Sequence, residues 1–171
     1  MEGVYRLNPF YWSRRAIRVF TAGFFLIMLP IYLYIGFQPN ISTQALGYPE
    51  LSIPSITLKT PVEPLQLTER QLIAPSTIAG AYSSNPSKTL IIGHAATVFQ
   101  NLDQTATGNI LTYDSQSYQI VDSQTLEKSD INMEEILSPA ETNTIIIMTC
   151  AGEPLPGQDA THRLIITATA I

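Results

Sequence analysis

Short apolar runs separated by turn-forming residues dominate the chain after residue 50. Six runs are rich in Ile, Leu, Val, Thr and Tyr: residues 51–58, 89–93, 109–113, 118–121, 144–149 and 164–169. Runs of this length between turn signals are typical of strands. Residues 114–117, Asp-Ser-Gln-Ser, predict a hairpin turn between two of them. The pattern therefore predicts a mainly β domain.

Helical signals in this region are few and short. Residues 130–137 predict a short helix that Asp130 or Asn132 caps and that ends before Pro139. Residues 68–71, Thr-Glu-Arg-Gln, have the form of a capping box and predict one or two further turns of helix. We therefore expect one or two short helices beside the strands.

A different pattern occupies the N-terminal part of the chain. Residues 19–37 contain no charged residue and are mostly Phe, Leu, Ile, Met, Ala and Tyr. At about 1.5 Å per residue, a helix over residues 16–37 is long enough to cross the ~30 Å hydrocarbon layer of a bilayer. The pattern predicts a single transmembrane helix.

Four arginines, Arg6, Arg14, Arg15 and Arg18, come before this uncharged run. Positive charge holds that end of a span in the cytoplasm, so the rest of the chain is expected outside the cell. A cleavable signal peptide is the alternative, but its apolar core would be shorter and followed by a small-residue cleavage site. We favour an uncleaved signal anchor in the cell membrane.

These patterns divide the chain into four parts. A cytoplasmic tail covers residues 1–15, the anchor covers 16–37, a polar linker covers 38–50, and one domain covers 51–171. The linker contains Pro, Asn, Ser, Thr and Gly with little periodicity, which suits a spacer. The remaining ~120 residues are enough for one domain with its own core.

The net charge of the whole chain, −5, conceals an asymmetry. From residue 38 onward there are five Lys and Arg against thirteen Asp and Glu. A nucleic-acid partner would require a basic face. The composition of the exported part therefore argues against nucleic-acid binding.

The chain has one cysteine, Cys150, at the end of an apolar run, and a second run ends on His94. Exported proteins usually pair their cysteines, so a lone thiol is either an incidental buried residue or a reactive group. Alternation along a strand places Cys150 on the face of Met148, and His94 on the face of Ile92. If the two strands are neighbours, thiol and imidazole meet above an apolar floor.

These residue types suit acyl transfer. A thiolate is the nucleophilic form of cysteine, and an imidazole can take the thiol proton and then protonate a departing amine. Arg163, which opens the next apolar run, can donate hydrogen bonds to the oxyanion that forms during attack on an amide. Which protonation state the resting pair adopts stays open.

The motifs Leu-Ile-Ile-Gly-His94, Met-Thr-Cys150 and Arg163-Leu-Ile-Ile, in this order and spacing, resemble the sortase family. Sortases typically carry Thr-Leu-x-Thr-Cys at the nucleophile, and here Ile146 and Ile147 stand in the place of Thr-Leu. The resemblance covers residues 51–171. It implies a closed eight-stranded β-barrel.

The resemblance also implies a role for each matched residue. Cys150 is the expected nucleophile, His94 the general acid and base, and Arg163 the ligand of the substrate and oxyanion. Ile92, Met148 and Thr149 are the expected substrate-binding residues.

The implied function is that of a cysteine transpeptidase. It cleaves a C-terminal sorting signal similar to Leu-Pro-x-Thr-Gly in exported proteins, through a thioester on Cys150, and passes the acyl group to a cell-surface amine. Two alternatives stay open: a thiol peptidase of the same fold that releases its substrate to water, and a non-catalytic surface domain that binds peptides or a partner protein.

Acidic residues suggest two further possibilities. Some sortases hold calcium before the cysteine strand, where this chain has Glu127, Asp130, Glu134 and Glu135. Carboxylates suit Ca²⁺, but a solvated acidic helix is the more common arrangement, so we expect no metal and no cofactor, with calcium as the alternative.

In the loop between Cys150 and Arg163, Glu153 and Asp159 either shape the choice of substrate or nucleophile or serve solubility. We expect a structural or solvent-facing role for His162.

Overall fold

The computed structural model describes residues 47–69, 71–156 and 159–171. The predicted cytoplasmic tail (1–15), the predicted transmembrane helix (16–37) and most of the predicted linker (38–50) lie outside the described residues. Within the described ranges, every helix is too short or too polar to cross a membrane.

Eight strands form a closed barrel. They are β1 (Glu50–Ile53), β2 (Leu58–Pro64), β3 (Ala79–Asn85), β4 (Lys88–Ile92), β5 (Ile110–Tyr113), β6 (Gln116–Glu127), β7 (Thr144–Leu155) and β8 (Asp159–Ala170). Around the barrel they follow the order β1, β2, β3, β4, β7, β8, β6, β5, and β5 closes onto β1. The prediction of a mainly β, closed eight-stranded barrel is confirmed.

Two of the strand pairs are parallel and the others are antiparallel. β2 runs parallel to β3, and β4 runs parallel to β7. Parallel neighbours require a crossover rather than a hairpin, and for β4 and β7 this crossover contains β5, β6 and the only α-helix among the described residues. Strands that are distant in sequence therefore lie side by side in the barrel. We call the three neighbours β4, β7 and β8 the central strands.

The observed strands differ in number and in bounds from the apolar runs of the sequence. The first run, residues 51–58, is split into β1 and β2 by a 3-10 turn at Pro54–Ile56, and Thr57 after it has a φ of 55°. Strand β3, Ala-Gly-Ala-Tyr-Ser-Ser-Asn, has no apolar run and was not predicted. It forms because β2 and β4 provide backbone partners on both sides. The predicted hairpin turn is confirmed, since β5 and β6 meet at Asp114 and Ser115, whose φ values are 49° and 67°.

One helical prediction is confirmed and one is wrong. Helix α1 (Met133–Leu137) is capped by Asn132, whose side-chain oxygen accepts hydrogen bonds from the N–H groups of Glu134 (3.1 Å) and Glu135 (3.4 Å). The predicted helical turn at residues 68–71 does not form. Thr68 and Gln71 instead exchange two backbone hydrogen bonds, of 3.0 and 2.8 Å, across a tight reversal. The backbone hydrogen bonds between Thr68 and Gln71 therefore form in place of the helical turn that the capping-box pattern predicted.

Two groups of buried side chains surround the central strands. Ile145, Ile147 and Thr149 of β7 point into the barrel interior, whereas Ile146 and Met148 point outward. The outward group includes Leu90, Ile92 and Ile165 and packs against α1 and the β2–β3 connection. The alternation predicted for Cys150, Met148 and Ile146 against Thr149, Ile147 and Ile145 is confirmed. Both faces of the first half of β7 are covered, so residues 145–148 form an uninterrupted apolar run.

Candidate active site

Strand pairing brings the chemically reactive residues to one end of the central strands. Cys150 of β7 lies directly opposite Arg163 of β8 in the antiparallel register. On the other side of β7, Met148 lies beside Ile92, the last residue of β4. His94 follows two residues later, so the chain leaves β4 alongside the Cys150 end of β7.

A buried side-chain hydrogen bond joins these two strand ends. The hydroxyl of Thr149 donates to the carbonyl oxygen of Gly93 at 2.8 Å, and Thr149 is only 4% exposed. A buried hydroxyl needs such a partner to offset its desolvation. The bond therefore holds the residue before His94 against the residue before Cys150.

The turn that carries His94 is packed tightly. The carbonyl oxygen of His94 accepts hydrogen bonds from the N–H groups of Thr97 (3.3 Å) and Phe99 (3.1 Å). A Cβ atom on Gly93 would lie 2.7 Å from the Phe99 ring, so glycine is needed for this close approach. Phe99 itself is 2% exposed and belongs to the barrel core. The core thus determines where His94 leaves the sheet.

Cys150 and His94 line the same cavity, of about 560 Å³, which we term the thiol cavity. Cys150 is the one free cysteine, and it is partly exposed. The other residues of the wall are mostly small and come from the β2–β3 connection, the turn after β4, the end of β7 and the start of β8: Ser76, Ala95, Ala96, Thr97, Ala151, Gly152, Pro154, Leu155, Asp159 and Ala160. The partly exposed Cys150 and His94 can therefore both be reached by a ligand in the same cavity.

A second cavity, of about 590 Å³, is lined by Met148, two residues before Cys150, and is termed the apolar groove. Ile92 and Met148 form part of its wall, and Arg163 and Lys128 provide its positive charge. The remaining lining residues come from the β2–β3 connection and the region of α1: Leu67, Gln71, Leu72, Ile131, Met133 and Leu137. Its lining therefore combines a mostly apolar surface with two cations.

The Arg163 guanidinium is held by three hydrogen bonds. Nη1 donates to the carbonyl oxygens of Ala160 (3.0 Å) and His162 (2.9 Å), and Nη2 donates to Oδ1 of Asp159 (2.6 Å). The side chain is 15% exposed. These bonds draw the guanidinium toward the start of β8, into the wall of the apolar groove.

Asp159 bridges two cations. Its Oδ1 atom pairs with Arg163, and its Oδ2 atom accepts a hydrogen bond from Nζ of Lys128 at 2.5 Å. The hydrogen bond from Lys128, followed by those from Arg163 and the Ala160 N–H, holds the pKa of the Asp159 carboxyl far below its usual value. Asp159 is therefore ionised throughout the physiological range.

The predicted site residues are distributed over the two cavities. Cys150 and His94 share one, while Arg163, Ile92 and Met148 share the other. Thr149 lines neither cavity, and its side chain is engaged with Gly93. His162 also lies outside both, with Nδ1 2.7 Å from the Thr161 hydroxyl. No three His, Cys, Asp or Glu side chains cluster as metal ligands in residues 47–69, 71–156 and 159–171.

Sequence patterns did not identify all of the lining residues. Lys128 lies 31 residues before the aspartate that it binds, so no local spacing could indicate the pair. Leu67 and Leu72 lie in a connection without strand or helix periodicity. Apolar residues in an otherwise polar connection were the one available signal.

Comparisons with known proteins agree with this architecture. The crystal structure of sortase C-1 from Actinomyces oris is similar over 72% of this chain and 71% of that chain, with 22% identity and a TM-score of 0.55. A lid mutant of sortase A from Corynebacterium diphtheriae gives 21% identity, coverage of 72% and 69%, and a TM-score of 0.55. Sortase A from Listeria monocytogenes gives 13% identity, coverage of 72% and 86%, and a TM-score of 0.56. At these identities the similarity concerns the fold.

The search of curated proteins finds no match. The family model for the sortase domain, however, matches residues 51–171. This range includes both cavities and all eight strands, apart from the first residue of β1. We conclude that this chain belongs to the sortase family.

Proposed function

We propose that this sortase is a cysteine transpeptidase in which Cys150 is the nucleophile, His94 the general acid and base, and Arg163 the ligand of the substrate and oxyanion. One observation carries the proposal: Cys150 shares a cavity with His94 and lies directly opposite Arg163 on the neighbouring strand. A nucleophile beside a base, with a cationic donor on the adjoining strand, is the arrangement that acyl transfer requires.

The first half-reaction replaces an amide bond with a thioester. The thiol proton of Cys150 passes to His94, the Cys150 sulfur attacks the carbonyl carbon of the scissile bond, and the carbonyl electron pair moves onto oxygen, where Arg163 donates hydrogen bonds to it. The electron pair then returns, the C–N bond breaks, and His94 protonates the departing amine. The acyl fragment stays on sulfur.

The second half-reaction reverses these roles. A primary amine attacks the thioester carbon, the carbonyl electron pair moves onto oxygen, and His94 accepts the proton that the amine loses. The electron pair then returns, the C–S bond breaks, and His94 gives the proton to the Cys150 sulfur. The products are a new amide and the free thiol. All of these steps use groups of the protein and the two substrates, so the proposal needs neither a cofactor nor a metal.

The apolar groove is the proposed site for the sorting signal. Ile92 and Met148 offer apolar contact to a sequence similar to Leu-Pro-x-Thr-Gly, and Arg163 lies where the groove approaches Cys150. We assign Thr149 a supporting part in substrate binding, because its bond to Gly93 keeps the two walls together. Cleavage after the Thr of the signal places its carbonyl carbon at the thiol.

The proposed substrates are exported proteins with a C-terminal sorting signal, and the proposed acceptor is an amine of the cell envelope or of another surface protein. This assignment requires the domain to be outside the cell, attached to the membrane through residues 16–37. Protease treatment of intact cells tests the location: an extracellular domain is digested, whereas a cytoplasmic one is protected until the cells are lysed.

Activity is tested with the full chain and a panel of quenched peptides similar to Leu-Pro-x-Thr-Gly. The expected result is cleavage after Thr, together with an intact-protein mass that corresponds to an acyl adduct on Cys150. Addition of a primary amine, such as triglycine, should yield the ligated peptide. Cys150→Ala is the matched control and should show neither adduct nor product.

Other outcomes identify the alternatives. Cleavage that yields only the free acid in the presence of an amine would indicate a thiol peptidase. An absence of adduct and cleavage across the whole panel, with binding of peptides unchanged in Cys150→Ala, would indicate a non-catalytic binding domain.

A further inference from the structure

The thiol cavity and the apolar groove share no lining residue. Met148 lines the groove, and Cys150, two positions further along the same strand, lines the thiol cavity. A peptide that lies in the groove and presents a carbonyl carbon to the Cys150 sulfur must therefore extend from one cavity into the other.

Two ion pairs connect the walls of these cavities. Asp159 belongs to the wall of the thiol cavity, whereas both of its cationic partners, Arg163 and Lys128, belong to the wall of the apolar groove. The contacts measure 2.6 Å to Arg163 and 2.5 Å to Lys128. We term this pair of contacts the Asp159 latch. It connects the walls of the two cavities between which such a peptide has to extend.

The latch also engages the group that the proposed mechanism requires. Both terminal nitrogens of Arg163 already donate hydrogen bonds, Nη1 to two backbone carbonyls and Nη2 to Asp159. A carboxylate is a stronger acceptor for a guanidinium than a neutral peptide carbonyl. A substrate carbonyl that approaches Arg163 therefore competes with an internal ligand of higher intrinsic strength.

Lys128 increases this competition. Lys128 binds the second carboxylate oxygen, so Asp159 is held from two sides. Rotation of the carboxylate away from Arg163 would also break its bond to Lys128. Lys128 belongs to the 3-10 turn that follows β6, whereas Arg163 belongs to β8. The latch thus joins two segments, the start of β8 and the 3-10 turn that follows β6.

We infer that Asp159 is an internal competitor of the sorting signal, which keeps Arg163 and Lys128 occupied in the resting enzyme and is displaced when a peptide extends from the apolar groove to Cys150. This inference rests on the proposed function. When only the open state binds the ligand, the apparent dissociation constant equals the intrinsic one divided by the fraction of molecules that are open.

The test is peptide cleavage by Asp159→Asn, with an uncharged signal peptide. The amide of asparagine keeps the shape but loses the charge, so the open state should become dominant. If about one molecule in ten of the wild type is open, KM falls about tenfold while kcat changes less than twofold. Asp159→Glu restores a carboxylate and should return KM toward the wild-type value.

Glu153→Gln is the matched control, because it removes the same charge near the end of β7, where this strand pairs with the start of β8. The N–H of Glu153 donates to the Thr161 hydroxyl, and its side chain forms none of the salt bridges found among the described residues. Its KM should equal that of the wild type. Raising the salt concentration screens the latch, so the KM of the wild type should fall toward that of Asp159→Asn, whose own KM should stay nearly constant.

The outcomes separate the two proposals. A higher KM or a lower kcat in Asp159→Asn would mean that Asp159 positions Arg163 for catalysis, and an unchanged KM would mean that the latch does not compete. Either result overturns this inference and leaves the transpeptidase intact. An absence of Cys150-dependent cleavage in the wild type would instead remove both.

Discussion

Cys150 and Arg163 lie opposite each other across the β7–β8 pair, yet Cys150 lines the thiol cavity and Arg163 lines the apolar groove. Directly opposed residues of antiparallel strands project from the same face of a sheet. Their side chains diverge because the long arginine side chain is bound to Asp159 and to the backbone at the start of β8. The strand register sets where these residues lie, and the ion pair sets where the guanidinium points.

The thiol and the imidazole should both be required for cleavage. Cys150→Ala removes the attacking atom and should reduce peptide cleavage to below about a thousandth of the wild-type rate. His94→Ala removes the proton donor and acceptor and should reduce kcat by about 10²–10⁴-fold. Both are measured with quenched peptides, with thermal unfolding as a check of folding. Near-normal cleavage in either variant would contradict its assigned role.

Arg163→Lys tests whether charge alone is sufficient at this position. Lysine keeps the charge but cannot reproduce the directed, planar set of hydrogen bonds of a guanidinium. Loss of an oxyanion donor typically reduces kcat by about 10²–10³-fold, and we expect a decrease of this size. A kcat close to that of the wild type would show that Arg163 supplies only electrostatic attraction.

Thr149→Val should destabilise the fold at the site. The substitution leaves the buried Gly93 carbonyl without its hydrogen-bond donor, which costs about 1–3 kcal/mol. The free energy of unfolding, measured by urea denaturation, should decrease by that amount, and kcat should fall because His94 is less firmly placed. Thr149→Ser retains a hydroxyl and should recover most of both losses; equal stability of all three proteins would contradict this assignment.

Met148→Ala should weaken peptide binding without affecting the chemical step. Met148 lines the apolar groove, and the loss of its contacts should raise KM roughly three- to tenfold at constant kcat. Val121→Ala is the control, since Val121 is 45% exposed and lines neither cavity. The assignment of the groove fails if the two substitutions change KM equally.

The stability contributed by Asp159 should depend on pH in a specific way. Its ion pairs hold the pKa of the folded protein far below the value of about 3.9 expected in the unfolded chain. The folded state is therefore favoured by these contacts above about pH 5, and the advantage is lost as the pH falls below about 4 toward the folded pKa. The difference in unfolding free energy between wild type and Asp159→Asn should be constant from pH 5 to 8 and shrink at pH 3.

A difference that is equally large at pH 3 and pH 7 would contradict this account, because it would have to arise from something other than the carboxylate charge. Glu153→Gln again serves as the control. Its carboxylate forms none of the described salt bridges, so its substitution should leave the pH profile of stability close to that of the wild type.

The local pattern of residues determined much of this protein. The apolar runs of β4, β7 and β8 identified the central strands because both of their faces are buried, and alternation along β7 correctly separated Ile147 in the core from Met148 in the groove. The positions of Cys150, His94 and Arg163 at strand ends were likewise visible in the sequence.

The tertiary structure decided what depends on partners distant along the chain. Strand β3 has no apolar run and exists because two neighbours supply its backbone bonds, and Thr68 and Gln71 pair across a reversal rather than in a helix. The ion pair between Lys128 and Asp159 joins residues that lie 31 positions apart in the sequence, and it connects the walls of the two cavities. Burial and alternation are short-range properties of a strand, whereas ion pairs and sheet order arise only when the barrel closes.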